Sequence, residues 1–497
     1  MRGQPIWPRI APGFVRAMLA GHSALGLAFA ALIWLVCFTG SVCVFTQEFA
    51  RWEQPVAPLS AAVTPEAANT AFQEGMKRMP WAHDAYIGLP TQAMPRLSIR
   101  ASTHEPSERE GDWVADANGH LLQPTQDRWS DFQARLHYEL HLPRPWGGYL
   151  IGLIGVALLS SIISGVLSHP RAFKDAFSLR MGGAKRLQEA DLHNRLGLWG
   201  LPFYLVVSLT GAFLGLTTLI VGVLALAVFK GDVKQAYALF LGPTPIDNPA
   251  AAPPPDLTRM FAYVKADAPR AEVRYIMVEH PFETGGRFSF NASTPGKISR
   301  GETYVFAADG TSAGVLGYEK GTLGQKILSG VAPIHFGWFG GPVVKFIYAI
   351  LGMGLASITS SGVAIWMARR RDKGKPAETW ERLWAAFVWS QPLAYAVTAS
   401  AVLLTPPDSA DDLLLSVWGG VTLASMLLPI VMRPKLISVT LRSLGGGLLL
   451  GLVGVHVWRF GIVPVDPVAL IVDLCLVLIA VSMVLSVVWR PHVKPHR

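Results

Sequence analysis

Four histidines stand at positions that suggest chemistry. His22 opens HSALGLAFAALIWLVCFTG (22–40), and His193 opens HNRLGLWGLPFYLVVSLTG (193–211). Each stretch reads as His, two residues, Leu-Gly-Leu, an apolar run, then Thr-Gly, with Thr and Gly 17 and 18 residues after the histidine. Eighteen residues make five turns at about 3.6 residues per turn, so an unbroken helix puts histidine and terminal glycine on one face. The glycine four residues after each histidine joins that face. Glycines beside a histidine leave room for something flat and bulky against the backbone. His137, in ARLHYELHL, and His335, in VAPIHFGWFGG, precede two further apolar stretches. Each half of the chain thus supplies one inner and one outer histidine. Imidazoles paired across an apolar bundle can fill both axial positions of a non-covalent b-type haem. Two such pairs, one per leaflet, would make a transmembrane electron wire. The bland alternative is interfacial histidines bonded to backbone or water.

The remaining histidines are weaker candidates. His141 follows His137 by four residues, shares its face on a helix and is an alternative outer ligand. His169 ends the second apolar stretch and is the reserve inner ligand, although its repeat counterpart is Trp366. His456 lacks a partner in the pattern. His83, His104, His120 and His280 fall in external segments, and His492 and His496 in the tail. There is no C-x-x-C-H, which excludes covalent haem attachment. Cys37, Cys43 and Cys475 lie in apolar stretches and read as small core residues. Aromatics crowd the external side (Trp113, Trp129, Trp146, Phe336, Trp338, Phe339) and read as an interfacial belt or, for some, as the lining of a cleft over the outer haem. Arg135, Arg144 and Lys345 stand near them as possible partners for haem propionates or an anionic substrate.

The elements that must hold these residues are membrane spans. The 497-residue chain is 51% hydrophobic and 15% charged, against about 25% charged in soluble domains. Eight stretches reach the roughly 20 apolar residues a bilayer requires: 22–46, 148–168, 195–229, 343–368, 382–404, 412–431, 436–458 and 467–489. The third is overlong. The first is too long for a cleaved signal peptide and reads as a retained span. Lys and Arg gather in alternate loops, at Arg2, Arg9 and Arg16, then Arg171, Lys174, Arg180, Lys185 and Arg186. Arg369, Arg370, Arg371, Lys373 and Lys375 follow, then Arg433 and Lys435, then Arg490, Lys494 and Arg497. With eight spans these share one side, so both termini are expected in the cytoplasm. The same bias explains the net charge of +9 without nucleic acid.

Between spans lie two external segments of one plan. In the first, 63–79 reads as a helix capped by Thr64 with Pro65 at its first turn. AYIGLP, RLSIRA and DWVADANGHLLQ follow as strands, turning at Asn118-Gly119. In the second, DLTRMFAYVKADAP is the helix, with Asp256 as cap. EVRYIMVEHP, RFSFNAS and TYVFAADGTSAGVL are the strands, turning at Asp309-Gly310. The returning spans match as well: GLIGVALLSSIISGV (152–166) against AILGMGLASITSSGV (349–363), at a constant offset of 197. The expected fold is a polytopic α-helical membrane protein of about eight spans, with two α+β modules inserted in a parallel internal repeat. The divisions are 1–46 (tail and span 1), 47–147 (module 1), 148–229 (spans 2 and 3), 230–340 (module 2), 341–371 (span 4) and 372–497 (a four-span bundle).

Taken together, H-x-x-L-G-L…T-G in both copies, LHYEL (136–140), SHPRAFKDAFSLR (168–180) and IHFGWFGG (334–341) resemble the PepSY-associated transmembrane proteins over about residues 15–371. The resemblance implies PepSY modules in the periplasm on a bacterial inner-membrane core. For some members it implies a di-haem reductase that passes electrons to a ferric siderophore and releases Fe(II). The implied axial ligands are His22 with His193 and His137 with His335. An alternative from another class is a non-enzymatic PepSY protein that binds a peptide or partner. A third is an electron donor to another periplasmic acceptor. No G-x-G-x-x-G follows a strand, and no cytoplasmic loop is long enough for a flavin domain. The donor is therefore a separate cytoplasmic reductant or a membrane quinol. Reporter fusions test the topology: a fusion after Arg371 should report the cytoplasm and one near Asn118 or Gly310 the periplasm. Cytoplasmic signal at both module sites would overturn it.

Overall fold

The computed structural model describes residues 11–103, 110–169, 185–241, 248–319, 321–406, 412–462 and 464–488. His104, His492 and His496, Arg171, Lys174 and Arg180, and the charged tail lie outside these residues. The chain begins with α1 (Pro12–Ala28), α2 (Ala30–Cys43) and α3 (Thr46–Glu53). The first module holds α4 (Pro65–Arg78), β1 (Asp84–Gly88), β2 (Leu97–Ser102), β3 (Glu110–Ala115) and β4 (Leu121–Pro124). Then come α5 (Arg128–Tyr138), α6 (Trp146–Leu167), α7 (Lys185–Trp199), α8 (Leu201–Gly215), α9 (Thr217–Val228) and α10 (Val233–Leu241). The second module holds α11 (Thr258–Asp267), β5 (Glu272–Glu279), β6 (Arg287–Ser293), β7 (Glu302–Ala307) and β8 (Ser312–Leu316). The chain closes with α12 (Leu323–Phe336), α13 (Gly341–Asp372), α14 (Glu378–Leu404), α15 (Asp412–Ser425), α16 (Pro434–Phe460) and α17 (Pro467–Val488).

Among the described residues six helical stretches are long and apolar enough to cross a membrane, and two bent pairs, α1–α2 and α7–α8, bring the count to eight if each is one span. Both pairs bend by 69°. This corrects the expectation of one unbroken helix from His22 to Gly40 and from His193 to Gly211. The breaks fall at Phe29 and Gly200, which are equivalent repeat positions. Pro202 enters α8 without an N–H to give the preceding turn, which accounts for the second break. The first copy breaks without a proline, so proline is not the common cause. The overlong third stretch divides again at Leu216, into α8 and α9.

The repeat is visible in the packing. α1 packs on α6, and α7 on α13, within each half. Beyond each bend the chain crosses over: α2 packs on α13 and α8 on α6. The crossings use equivalent small residues. A Cβ on Gly155 would lie 2.9 Å from the Ala212 nitrogen, and one on Gly352 would meet Ser41. Without a hydrophobic driving force between helices in lipid, such close backbone approach supplies the packing.

The two modules form one sheet of eight antiparallel strands, in the order β4-β3-β2-β1-β5-β6-β7-β8. The halves join where β1 pairs β5, with Ile87 opposite Ile276. α4 and α11 close one face over a core that includes Phe72, Met76, Ile87, Ile276, Phe288 and Phe290. Local signals place these elements. Thr64 caps α4 by accepting the Ala67 N–H at 3.2 Å. The N-cap of α11 is Leu257 rather than the expected Asp256, which lies one residue earlier and accepts the Thr258 N–H at 2.8 Å. Gly119 and Gly310 take the positive φ their turns demand.

The last four helices are fastened to this core by polar groups as well as apolar contact. Arg51 donates twice to Asp466, both at 2.8 Å, and Arg96 donates to the same carboxylate at 3.1 Å. Asp466 is fully buried. Nearby, His456 bonds Asp473 at 2.8 Å and the Trp52 carbonyl at 3.0 Å, and Trp52 Nε1 donates to Asp473 at 2.8 Å. His456, without a partner in the sequence pattern, thus belongs to a structural clamp. Removing Asp466 strands two buried guanidinium groups, a class of change that costs about 3–5 kcal/mol. Asp466→Ala should therefore lower the thermal midpoint in detergent and loosen the α14–α17 bundle to proteolysis. A midpoint equal to that of the parent protein would show that the clamp carries no load.

Candidate functional site

The fold brings the four repeat histidines together as two pairs. At the end of the helical bundle far from the sheet, His22 on α1 faces His193 on α7. Their ring centres are 6.1 Å apart and the planes cross at 74°. At the sheet end, His137 on α5 faces His335 on α12, with ring centres 6.4 Å apart and planes inclined by 21°.

Each imidazole is held by one nitrogen. His22 Nδ1 lies 2.8 Å from the Ser161 carbonyl oxygen, and His193 Nδ1 lies 3.0 Å from that of Ile358. Ser161 and Ile358 are equivalent at the offset of 197. A carbonyl only accepts, so Nδ1 carries the proton in both rings. His193 Nδ1 also lies 3.0 Å from Ser361 Oγ. At the sheet end the partners are the threonines of the Thr-Gly pairs. Thr39 Oγ1 lies 3.2 Å from His137 Nδ1, and Thr210 Oγ1 lies 2.9 Å from His335 Nδ1. Each hydroxyl gives its own proton to a carbonyl one turn back, Val36 at 3.2 Å and Val206 at 2.7 Å. The threonine oxygen therefore accepts from Nδ1. In all four rings Nε2 keeps its lone pair, and among the described residues none of the four makes a hydrogen bond there.

Glycine seats each ring. A Cβ on Gly40 would come 2.7 Å from His137 Cε1, and one on Gly211 would come 2.9 Å from His335 Cε1. At the far end the seats are Gly165, 3.1 Å from His22 Cε1 on the same construction, and Gly362, 3.3 Å from that of His193. The terminal glycines of the repeated motif thus serve the opposite end of the bundle from the histidines that open it. Beside the far pair, Gly197 has no atom within 4 Å of its Cβ position, and Gly26 has none nearer than 3.7 Å. Some space remains there.

The candidates left open by the sequence take definite places. His141 turns away from His335, bonds the Phe132 carbonyl at 2.9 Å through Nε2, and stacks on Phe132 at 4.9 Å. Leu140 and His141 both adopt positive φ, so the helix ends at Tyr138 and the expected shared face is lost. Glu139 anchors that turn, accepting from Arg135 at 3.0 Å and Arg144 at 2.8 Å. His169 follows α6, and its Nδ1 is buried without a hydrogen-bond partner among the described residues. Trp366, its repeat counterpart, packs with Ala30, Val363 and Met367.

Arg135, Arg144 and Lys345 are all committed to carboxylates, the last to Glu48 at 2.7 Å. They are thus not free cations awaiting an anion. Trp113 lies in the sheet under Arg78, and Trp129 is buried against Thr398. Trp146, Phe336, Trp338 and Phe339 are exposed. The sequence reading missed the hydrogen-bond roles of Thr39, Thr210 and the Ser161 and Ile358 carbonyls. The threonines were visible as repeated letters; the carbonyls leave no trace in residue type.

Two imidazoles on opposite sides of one metal ion, at about 2 Å per bond, stand with ring centres about 6 Å apart. Both pairs meet that spacing, with Nε2 free of hydrogen bonds and Nδ1 engaged, the kind of arrangement that orients histidine ligands. The residues present therefore fit a group that takes two axial imidazoles. Among the described residues no three His, Cys, Asp or Glu side chains converge on one point, so a cage of protein ligands alone is not built here. Gly40→Ala or Gly211→Ala should displace the sheet-end imidazole and destabilise the protein by about 1–3 kcal/mol, while Gly26→Ala should be tolerated. Equal thermal midpoints for all three would show that the glycines are not seats.

The family described as the PepSY-associated TM region matches residues 19–369. An uncharacterized protein of Pseudomonas aeruginosa is 28% identical over 319 residues, covering 60% of this chain and 80% of its own length. The match includes the bends of both helix pairs, both halves of the sheet and all four paired histidines. The chain belongs to the PepSY-associated transmembrane family.

Proposed function

We propose that this protein is a transmembrane di-haem electron carrier of the bacterial inner membrane. It would reduce a ferric siderophore or other ferric chelate on the sheet side and release Fe(II). The observation that supports the reading is the similar construction of the two histidine pairs: ring separations of 6.1 and 6.4 Å, one engaged nitrogen per ring, and glycine beneath each. Two non-covalent b-type haems, bound when present by His22 with His193 and by His137 with His335, would supply one-electron redox chemistry.

The protein's own part is to hold and insulate. The Ser161 and Ile358 carbonyls and the Thr39 and Thr210 hydroxyls fix the tautomer and aim Nε2. The apolar helices around the pairs limit solvent access and lower the local dielectric, which would tune the redox potential of a group bound there. With such groups held by the two pairs, the chain would connect a quinol or a cytoplasmic reductant at the far end to Fe(III) at the sheet end. Hard oxygen chelators bind the smaller, more highly charged ion better, so reduction to Fe(II) loosens their hold. The sheet lies on the side where the chelate would arrive.

The test is spectroscopic. The purified protein should carry about two low-spin haems per chain. His22→Ala and His193→Ala should each lower this to about one, losing the same haem. His137→Ala and His335→Ala should each lose the other, together with reoxidation by ferric chelates. His141→Ala should keep both. Protein purified from haem-replete cells with no Soret band, or His335→Ala with undiminished ferric-chelate reduction, would overturn the reading. The first outcome would favour a peptide- or partner-binding role instead.

A further inference from the structure

A third pair of imidazoles lies outside the helical bundle. His83 directly precedes β1 and His280 directly follows β5, so the register that sets Asp84 opposite Glu279 places the two histidines opposite each other. The His280 N–H donates to the His83 carbonyl at 2.6 Å. The ring centres are 6.2 Å apart. A cleft of about 220 Å³ opens between them, lined by Pro80, Trp81, His83, His280, Phe282 and Glu283.

The backbone at this point is specialised. His280 has φ +52°, a left-handed conformation that non-glycine residues seldom adopt. The chain then doubles back, with the Glu283 N–H donating to the His280 carbonyl at 3.1 Å. That turn brings Glu283 Oε1 to 3.3 Å from His280 Nδ1. A histidine in a strained turn, beside a carboxylate and across a cleft from a second histidine, is a costly way to build a surface. The repeat does not require it. Aligning Tyr86-Ile87 with Tyr275-Ile276 gives Glu272 and Thr91 as the counterparts of His83 and His280. The cluster therefore exists at one end of the seam only.

We infer that this cleft binds a divalent first-row transition-metal ion. His83 and His280 supply imidazole nitrogens and Glu283 a carboxylate oxygen, a donor set that suits iron, zinc, nickel or copper. The observed separation matches imidazoles on opposite sides of one ion, about 6 Å, and lies about 1 Å beyond the spacing of a tetrahedral pair. Glu283 must leave its hydrogen bond with His280 to reach the ion. The three donors do not yet converge, so the site is open and its remaining positions go to water or to a chelator. Such a site holds an exchangeable ion rather than a structural one. The inference stands apart from the haem reading, since it uses none of the four bundle histidines.

The test uses the full-length protein in detergent and Zn(II) as the probe, by calorimetric titration and by zinc content after gel filtration. About one ion per chain should bind at the cleft. The double variant His83→Ala, His280→Asn should weaken binding at least about tenfold; Asn is chosen because it tolerates the left-handed backbone. Glu283→Gln should weaken it several-fold. His120→Ala removes an exposed histidine paired with Glu74 and should change nothing. Thermal midpoints show whether each variant is folded, and His83→Gln, a milder change, should reproduce the loss if the double variant is not. Absence of zinc binding to the parent protein overturns the inference. So does undiminished binding in a folded cleft variant, or a loss that follows His120→Ala instead.

Discussion

An imidazole held inside a helical bundle has two nitrogens to account for, and this fold provides for one of them. Every ring of the two bundle pairs gives its Nδ1 proton to an oxygen fixed in a helix. The oxygens are carbonyls at one end and threonine hydroxyls at the other. The four rings are half-buried, and among the described residues no hydrogen bond occupies their Nε2 atoms. The helices cannot shift without breaking the Nδ1 bonds. Bent spans, small-residue crossings and glycine seats are all arrangements that let four rings stand at set distances inside an apolar bundle.

The bends give the crossover its form. α1 stays with the returning helix of its own half, while α2 leans on that of the other half, and the second copy does the same in reverse. Each histidine pair consequently draws one ring from each half of the chain. Neither half contains a complete pair. The pseudo-twofold arrangement is thus a condition of the site as well as a record of the repeat.

Much of this was legible where the governing interactions are local. Thr64 before Pro65, Asn118-Gly119 and Asp309-Gly310 mark a cap and two turns through neighbours within four residues, and the structure has them there. The repeat register singled out His22 and His193, while His137 and His335 stood out as histidines preceding the two returning spans. The choice between His137 and His141 was not settled by letters. It depends on two residues of positive φ and on Glu139 held by two arginines, a tertiary arrangement. The bend at Phe29 carries no proline signal. The joining of β1 to β5 unites strands nearly two hundred residues apart, a pairing decided by the whole fold.

That joining also bears on ancestry and on motion. A sheet of four strands ending at β1 would expose an open edge whose natural partner is another copy of itself. Ile87 opposite Ile276, equivalent residues of the two halves, is the contact such a symmetric pair of separate chains would make. The present protein reads as that dimer made covalent, with a connection freed to diverge at one end of the seam. Continuous backbone hydrogen bonding across the former interface locks the halves to each other. Rocking the two repeats apart, as some membrane carriers do, would require breaking this weld.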